Sequence, residues 1–249
     1  MKILLTNDDG YRATGILALY RALAPEHEVI LVAPDRERSA IGHGITLNQP
    51  LRYDQVDLNG GGKGYAVNGT PADCVKLGLF DLCGGTPDLV ISGINAGSNT
   101  GVNINYSGTA GAAREAAING VPAIAASLQY GDIMDFDGMA AYIRSLLGKP
   151  AAMALPEGAF LNVNGPCIAM NDVKGVRITK QADNNLANDF DRREDPRKKP
   201  YYWYGNMVPV RPGKGTDNDA LLENFISITP IQCDMTAYSL MAELEEAGF

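Results

Sequence analysis

Lys2-Ile3-Leu4-Leu5-Thr6-Asn7-Asp8-Asp9-Gly10 decides how this chain is read. Ile3, Leu4 and Leu5 form a short apolar run, the pattern of a buried central strand, and the run stops at two adjacent carboxylates and a glycine. Open parallel sheets bind ligands just beyond the carboxyl ends of their strands. Asp8 and Asp9 are therefore expected at the mouth of a site.

The segments that follow extend this into a repeating pattern. Gly15 to Ala24 has helical spacing and stops at Pro25, and Glu28 to Ala33 reads as a second buried strand. That strand opens into the polar loop Pro34-Asp35-Arg36-Glu37-Arg38-Ser39-Ala40-Ile41-Gly42-His43-Gly44. Short edge or antiparallel strands are predicted at Ile45–Leu47, Leu51–Val56 and Tyr65–Val67. Thr70-Pro71 starts a helix reaching about Leu82, with Thr70 as cap and Pro71 in the first turn. A third main strand, Pro87 to Ser92, empties into a long loop from Gly93 to Thr109. A small-residue helix (Ala110–Asn119) and a strand (Val121–Ser127) follow. A loop of that length in a compact domain is usually functional. Further elements are expected at Asp137–Leu147 (helix), Phe160–Asn164 (strand), Phe225–Thr229 (strand) and Thr236–Ala247 (amphipathic helix). The fold class is α/β, a Rossmann-like, doubly wound, mostly parallel sheet. Residues 1–180 form the expected catalytic core. Residues 181–249 form a C-terminal extension whose late strand and terminal helix return to that core. Within the extension, a charged run (Asp189 to Lys199) precedes Tyr201-Tyr202-Trp203-Tyr204, and Val208–Val210 is expected to pair back as a hairpin. Aromatics on a polar arm suit a contact between subunits.

Composition narrows the function. The 249-residue chain is 45% hydrophobic, enough for a substantial core, and carries a formal net charge of -8. That charge argues against a stable nucleic-acid partner, which clustered Lys and Arg would provide. An anionic substrate would need local compensation from a metal ion or helix N-termini. The four cysteines (Cys74, Cys83, Cys167 and Cys233) make no C-x-x-C pair and read as reduced packing residues. With neither a signal-type start nor an apolar run of membrane length, a cytoplasmic protein without a membrane partner is expected.

Individually, the chemical residues are ambiguous. Asp8 and Asp9 suit a divalent cation, which prefers oxygen ligands, but Asn-Asp-Asp-Gly is also an ordinary turn. Ser39 is either a loop hydroxyl or a ligand. Asn95, at the end of the third strand, would face Asp8 and Asp9 in a 3-2-1-4 type of sheet, and its amide oxygen suits the same cation. Ser107, Gly108 and Thr109 precede a helix, where N–H groups and the helix dipole favour phosphate and where simple capping works equally well. His43 reads as a loop residue between glycines, with a general acid as the alternative. Lys63 is followed by Gly64 rather than Ser or Thr, which excludes a phosphate-binding P-loop. The turn after the first strand lacks G-x-G-x-x-G, which speaks against a dehydrogenase.

Taken together these segments carry a resemblance. Leu5-Thr6-Asn7-Asp8-Asp9-Gly10, Ala33-Pro34-Asp35-Arg36-Glu37-Arg38-Ser39, Gly69-Thr70-Pro71-Ala72-Asp73-Cys74-Val75, Ser92-Gly93-Ile94-Asn95 and Tyr106-Ser107-Gly108-Thr109 resemble the signature segments of the SurE survival-protein family. So do Ala112-Ala113-Arg114-Glu115, Leu161-Asn162-Val163-Asn164 and Ser227-Ile228-Thr229-Pro230, all in family order. The resemblance implies a 5'/3'-nucleotidase using one divalent metal ion, Mg or Mn, held by Asp8, Asp9, Ser39 and Asn95. Asp8 and Asp9 are read as the catalytic carboxylates, with Asp9 activating or orienting the nucleophile and a direct aspartyl-phosphate route through either carboxylate as the alternative. Asn95, Ser107, Gly108 and Thr109 form the implied phosphate-binding set. It also implies a nucleoside monophosphate substrate and a homodimer or homotetramer joined through the C-terminal arm. The chain departs from the family at Ala40, where glycine is usual, and at His43, which is not a usual signature residue. A nucleotide-binding regulatory module without turnover is the alternative reading.

Overall fold

The computed structural model describes residues 1–58, 62–150, 154–183, 189–205 and 213–248. The chain starts with β1 (Lys2–Thr6), α1 (Thr14–Leu23), β2 (Glu28–Pro34), β3 (Tyr53–Asp57), β4 (Lys63–Val67) and α2 (Pro71–Leu77). It continues with β5 (Leu89–Ala96), α3 (Gly108–Ile118), β6 (Ala123–Leu128), α4 (Phe136–Leu147), β7 (Ala159–Gly165) and β8 (Val176–Ile178). The last elements are β9 (Phe190–Glu194), β10 (Pro200–Tyr204), α5 (Asp217–Leu222), β11 (Ile226–Gln232) and α6 (Tyr238–Glu246).

Among the described residues the main sheet has nine strands in the order β3-β4-β2-β1-β5-β6-β7-β11-β8. The run β4-β2-β1-β5-β6-β7 is parallel throughout. Renumbered by chain order, this is the 3-2-1-4-5-6 arrangement of a doubly wound fold. Edge strand β3 is antiparallel to β4, and β11 is antiparallel to β7 and parallel to β8.

The apolar run of β1 explains its central place. Ile3 and Leu5 pack into one core with α1 and α4 (Ile16, Leu19, Met139, Ile143), while Leu4 packs into the other with α2 and α3 (Val75, Ala112, Ala113, Ala116). Successive strand residues point to opposite faces, so a strand covered on both sides must be apolar at every position. All three side chains are completely buried, each contributing about 1.5–3 kcal/mol of hydrophobic free energy. Seven of the eleven residues of helix α3 are alanine or glycine, which lets its axis lie close to the sheet.

Several local expectations hold. Thr70 caps α2 through a reciprocal pair: Asp73 N–H donates to Thr70 Oγ1 (3.1 Å), and Thr70 N–H donates to Asp73 Oδ2 (2.8 Å). The other Asp73 oxygen accepts from Thr46 N–H (3.0 Å), which diverts that backbone from a ladder, so Ile45–Leu47 is not a strand. The loop after the third main strand is shorter than expected. β5 continues to Ala96 with a register shift between Ser92 and Asn95, a 3-10 turn covers Gly101–Asn105, and α3 begins at Gly108.

In the extension, Tyr201–Tyr204 do pair in a hairpin, but with the preceding charged strand: β10 lies antiparallel to β9, Tyr202 opposite Arg192. The expected strand Val208–Val210 lies outside the described residues. All ten residues of this hairpin are exposed, as are the apolar side chains Tyr238, Leu240, Met241 and Leu244 of α6. No helix among the described residues is long and apolar enough to cross a membrane.

Candidate active site

In a doubly wound sheet the ligand crevice opens where neighbouring strands send their connections to opposite faces. Here that point lies between β1, which leads to α1 on one face, and β5, which leads to α3 on the other. A cleft of about 450 Å³ opens at the carboxyl ends of these strands, a size suited to a small molecule. It is lined by Asp8, Asp9, Ser39 and Asn95 together with Asn99, Asn103, Tyr106 and Ser107. All four expected metal ligands thus share one cavity. Another cavity, about 360 Å³ and lined by Tyr11, Arg12, Leu17 and Val56–Leu58, contains none of them. Its Arg12 guanidinium already stacks 4.8 Å from the Tyr11 ring centroid.

The carboxylates are held by a closed turn. Asn7 Nδ2 donates to Gly10 O (2.9 Å) and Gly10 N–H returns to Asn7 Oδ1 (3.2 Å), so Asp8 and Asp9 project from the loop between them. Asp8 is buried, and Thr109 serves it twice: the hydroxyl donates to Oδ1 (2.5 Å) and the N–H to Oδ2 (3.2 Å). Gly108 also donates its N–H to Asp8. A side chain at Gly108 would collide with Asp8, its Cβ lying 2.8 Å from that of Asp8, so only glycine lets the helix end come this near. The positive end of α3 therefore points at Asp8. Of the expected phosphate-binding trio, Ser107 lines the cleft, whereas the donors of Gly108 and Thr109 serve Asp8. Ser107 is also the N-cap, accepting from Ala110 N–H (3.0 Å).

Burial raises the pKa of Asp8 above the usual carboxylate range despite those hydrogen bonds. Asp9 is pushed up to about 6, first by burial and then by the neighbouring Asp8 charge, with the N–H of Ala96 opposing the shift. Two adjacent carboxylates, both raised by burial and one raised further by the other's charge, make a site short of positive charge. The other two groups add neutral oxygens. Asn95 Nδ2 donates to Gly97 O (2.7 Å), which fixes the amide and leaves its oxygen as the available acceptor. Ser39 Oγ donates to Glu37 Oε1 (2.5 Å), so its lone pairs stay available. An all-oxygen set with two carboxylates fits a hard divalent cation. Among the described residues no three His, Cys, Asp or Glu side chains gather into an alternative metal site.

Residues not singled out from the sequence complete the cleft. Glu37 lines it beside Ser39, and Asn99 is held from below by a buried amide network. Asn164 Oδ1 accepts from Asn99 N–H (2.8 Å), Asn162 Nδ2 donates to Asn99 O (2.7 Å), and Asn99 Nδ2 donates to Ser127 Oγ (2.9 Å). Asp217, completely buried, accepts from Gly101 N–H (2.8 Å) and Ala182 N–H (3.1 Å) and so ties the 3-10 turn that begins at Gly101 to the extension. The visible signal was buried asparagine on an otherwise apolar strand, Asn162 and Asn164. His43 does not line the cleft: its Nε2 lies 2.7 Å from Glu115 Oε2, a buried carboxylate of α3.

The comparisons agree with this architecture. Residues 3–188 match the family described as Survival protein SurE. A protein of Desulfatibacillum aliphaticivorans named 5'-nucleotidase SurE is 51% identical over 248 residues, covering 99% of this chain and 98% of that protein. A Syntrophobacter fumaroxidans protein of the same name is 45% identical over 98% of each. The crystal structure of the SurE protein from Aquifex aeolicus superposes with a TM-score of 0.86 at 38% identity, covering both chains completely. With the match running through every element that builds the cleft, this chain belongs to the SurE family.

Proposed function

We propose that this protein is a phosphatase that hydrolyses nucleoside 5'- and 3'-monophosphates to nucleoside and phosphate, using one divalent cation, Mg or Mn. The convergence of Asp8, Asp9, Ser39 and Asn95 in one cleft carries this reading. The name 5'-nucleotidase on relatives that align over nearly their whole length supports the substrate class.

Asp8, Asp9, Ser39 and Asn95 would hold the cation, which when bound supplies charge neutralisation for a phosphoryl oxygen and acidifies a water. Asp8 is held rigid by three donors from the start of α3, so its carboxylate has little freedom to follow the substrate. Asp9 is the more exposed of the pair and orients the attacking water, accepting its proton. Asn95, through the Nδ2 hydrogen not used by Gly97, and Ser107, through its hydroxyl, donate to phosphoryl oxygens. The N–H groups of Gly108 and Thr109 contribute through the positive helix end they form. Tyr106, half-exposed beside Asn99 and Asn103, offers a ring face and amides to the nucleoside. Phosphoryl transfer asks for positioning and charge stabilisation, which this set provides without a cysteine nucleophile. Residues 1–180 supply all of these groups. The exposed aromatic hairpin and the apolar face of α6 are the surfaces through which the chain would form a homodimer or homotetramer.

The test is phosphate release from a panel of 5' and 3' nucleoside monophosphates, using chelator-stripped protein with and without Mg or Mn. Metal-dependent release that disappears in Asp8→Asn and Asp9→Asn is expected. A folded protein that binds nucleotide yet releases no phosphate with any metal would overturn the phosphatase in favour of a binding module.

A further inference from the structure

The Ser39 loop borders the cleft, with Ser39 and Ala40 among its lining residues, and is fastened at both ends. Upstream, Arg38 N–H donates to Asp8 O (2.7 Å) and Arg38 Nη2 donates to Asn68 O (2.6 Å). Downstream, the loop lies on α3. Gly42 N–H donates to Tyr106 O (2.9 Å), and Gly111 leaves room for Gly42, whose carbonyl oxygen would stand 2.5 Å from a Cβ at that position. The next residue is His43, whose ring reaches Glu115 at 2.7 Å. Between the bonds of Arg38 and that of Gly42 only residues 39–41 are spanned, and the first of them carries the hydroxyl assigned to the cation.

The anchor for His43 is itself well fixed. Glu115 is 5% exposed and sits in the middle of the third turn of α3. Its other oxygen takes Lys76 Nζ from α2 (2.7 Å) and Asn119 Nδ2 (2.9 Å). Burial alone would raise its pKa, but the bonds from His43, Lys76 and Asn119 outweigh it and bring it down to about 2. An ionised, braced carboxylate facing the ring nitrogen makes this a charge-assisted hydrogen bond. Loop residue Ala40 has φ +55°, a conformation an L-residue holds only when its surroundings insist.

On the metal reading proposed above, we infer that His43 is a positioning residue. Its bond to Glu115 clamps the Ser39 loop onto α3 and thereby sets the affinity of the site for a divalent cation. It does not touch the cleft and takes no part in the chemistry. Any side chain that delivers an N–H donor to the same point should serve, and glutamine places its amide nitrogen where the imidazole Nε2 stands.

The experiment measures Mn binding to chelator-stripped protein by EPR titration for wild type, His43→Ala and His43→Gln, with a thermal melt of each. His43→Ala should weaken Mn binding about tenfold, the size of one lost charge-assisted bond. His43→Gln should recover most of that loss, with melting temperatures that do not follow the same order. Mn binding by His43→Ala equal to wild type overturns the clamp. So does a glutamine variant as weak as alanine, or an alanine variant that fails to fold, since the residue is then merely structural. Wild-type protein that binds no Mn overturns the metal reading itself, a separate result that no His43 variant could produce.

Discussion

The paired carboxylates make a prediction about stability that requires no substrate. Asp9 is raised from its ordinary 3.8 to about 6, by burial and then by Asp8, and Asp8 itself is raised by burial. A carboxyl group whose folded-state pKa lies above its unfolded value binds more protons when folded. Its contribution to stability is therefore complete below the unfolded pKa and lost as pH rises through the folded pKa. The metal-free protein should thus weaken between pH 4 and 7, by up to about 3 kcal/mol from Asp9 alone, because each tenfold change in proton affinity is worth ~1.4 kcal/mol. Buried Asp217 is raised too and adds in the same direction. Glu115 has the opposite sign: held down to about 2, it stabilises above its unfolded value of about 4.3 and fails as pH falls toward 2. Urea unfolding at a series of pH values, in chelator, should therefore show greatest stability near pH 4–5. Saturating Mn should reverse the slope above pH 5, because the cation takes the place of the protons. Asp9→Asn should flatten the metal-free slope. Stability that rises or stays level from pH 4 to 7 in chelator would refute the account of the site as a charge-deficient pair.

Other substitutions test neighbouring contacts. Thr109→Val removes the hydroxyl donor to buried Asp8 and should cost about 1.5–3 kcal/mol while Asp8 is ionised, and less as falling pH protonates it, in paired urea melts. Gly108→Ala places a methyl 2.8 Å from Asp8 Cβ and 2.9 Å from its Oδ2; isothermal titration should show Mn binding weakened at least tenfold, with stability falling by about 1–3 kcal/mol. Ala40→Gly relieves the left-handed backbone at φ +55° and should stabilise by about 0.5–1 kcal/mol, read as a rise of a few degrees in melting temperature.

The fold was legible where one physical signal dominated. The apolar runs of β1, β2 and β5 could only be buried strands, and their alternation with helices led to the doubly wound sheet. The capping box of α2 was visible because its partners are local, three residues apart. Ile45–Leu47 misled because its alternation is that of a strand, while the decisive contact, Thr46 to Asp73, comes from 27 residues away. The charged and aromatic halves of the hairpin were both noticed but not paired with each other. Strand pairing at an exposed arm leaves no hydrophobic register to read. In the site, Asp8, Asp9, Ser39 and Asn95 could each be placed at a strand end, but their meeting in one cleft depended on strand order. The unusual Ala40 was apparent as a departure from the family. Only its φ supplies the reason a glycine is common there.

The cleft-lining residues all fall before residue 180, yet that position does not separate two folding units. Strand β11 lies between β7 and β8 in the main sheet, so the core's last strands are incomplete without residues 226–232. Asp217 reaches back to Gly101 and Ala182 with no exposed surface, and Gln181 Nε2 donates to Gly101 O (2.8 Å). The segment bearing Asn99, Asn103 and Tyr106 is thereby braced at two points: by the strand-end amides of β7 and by the extension.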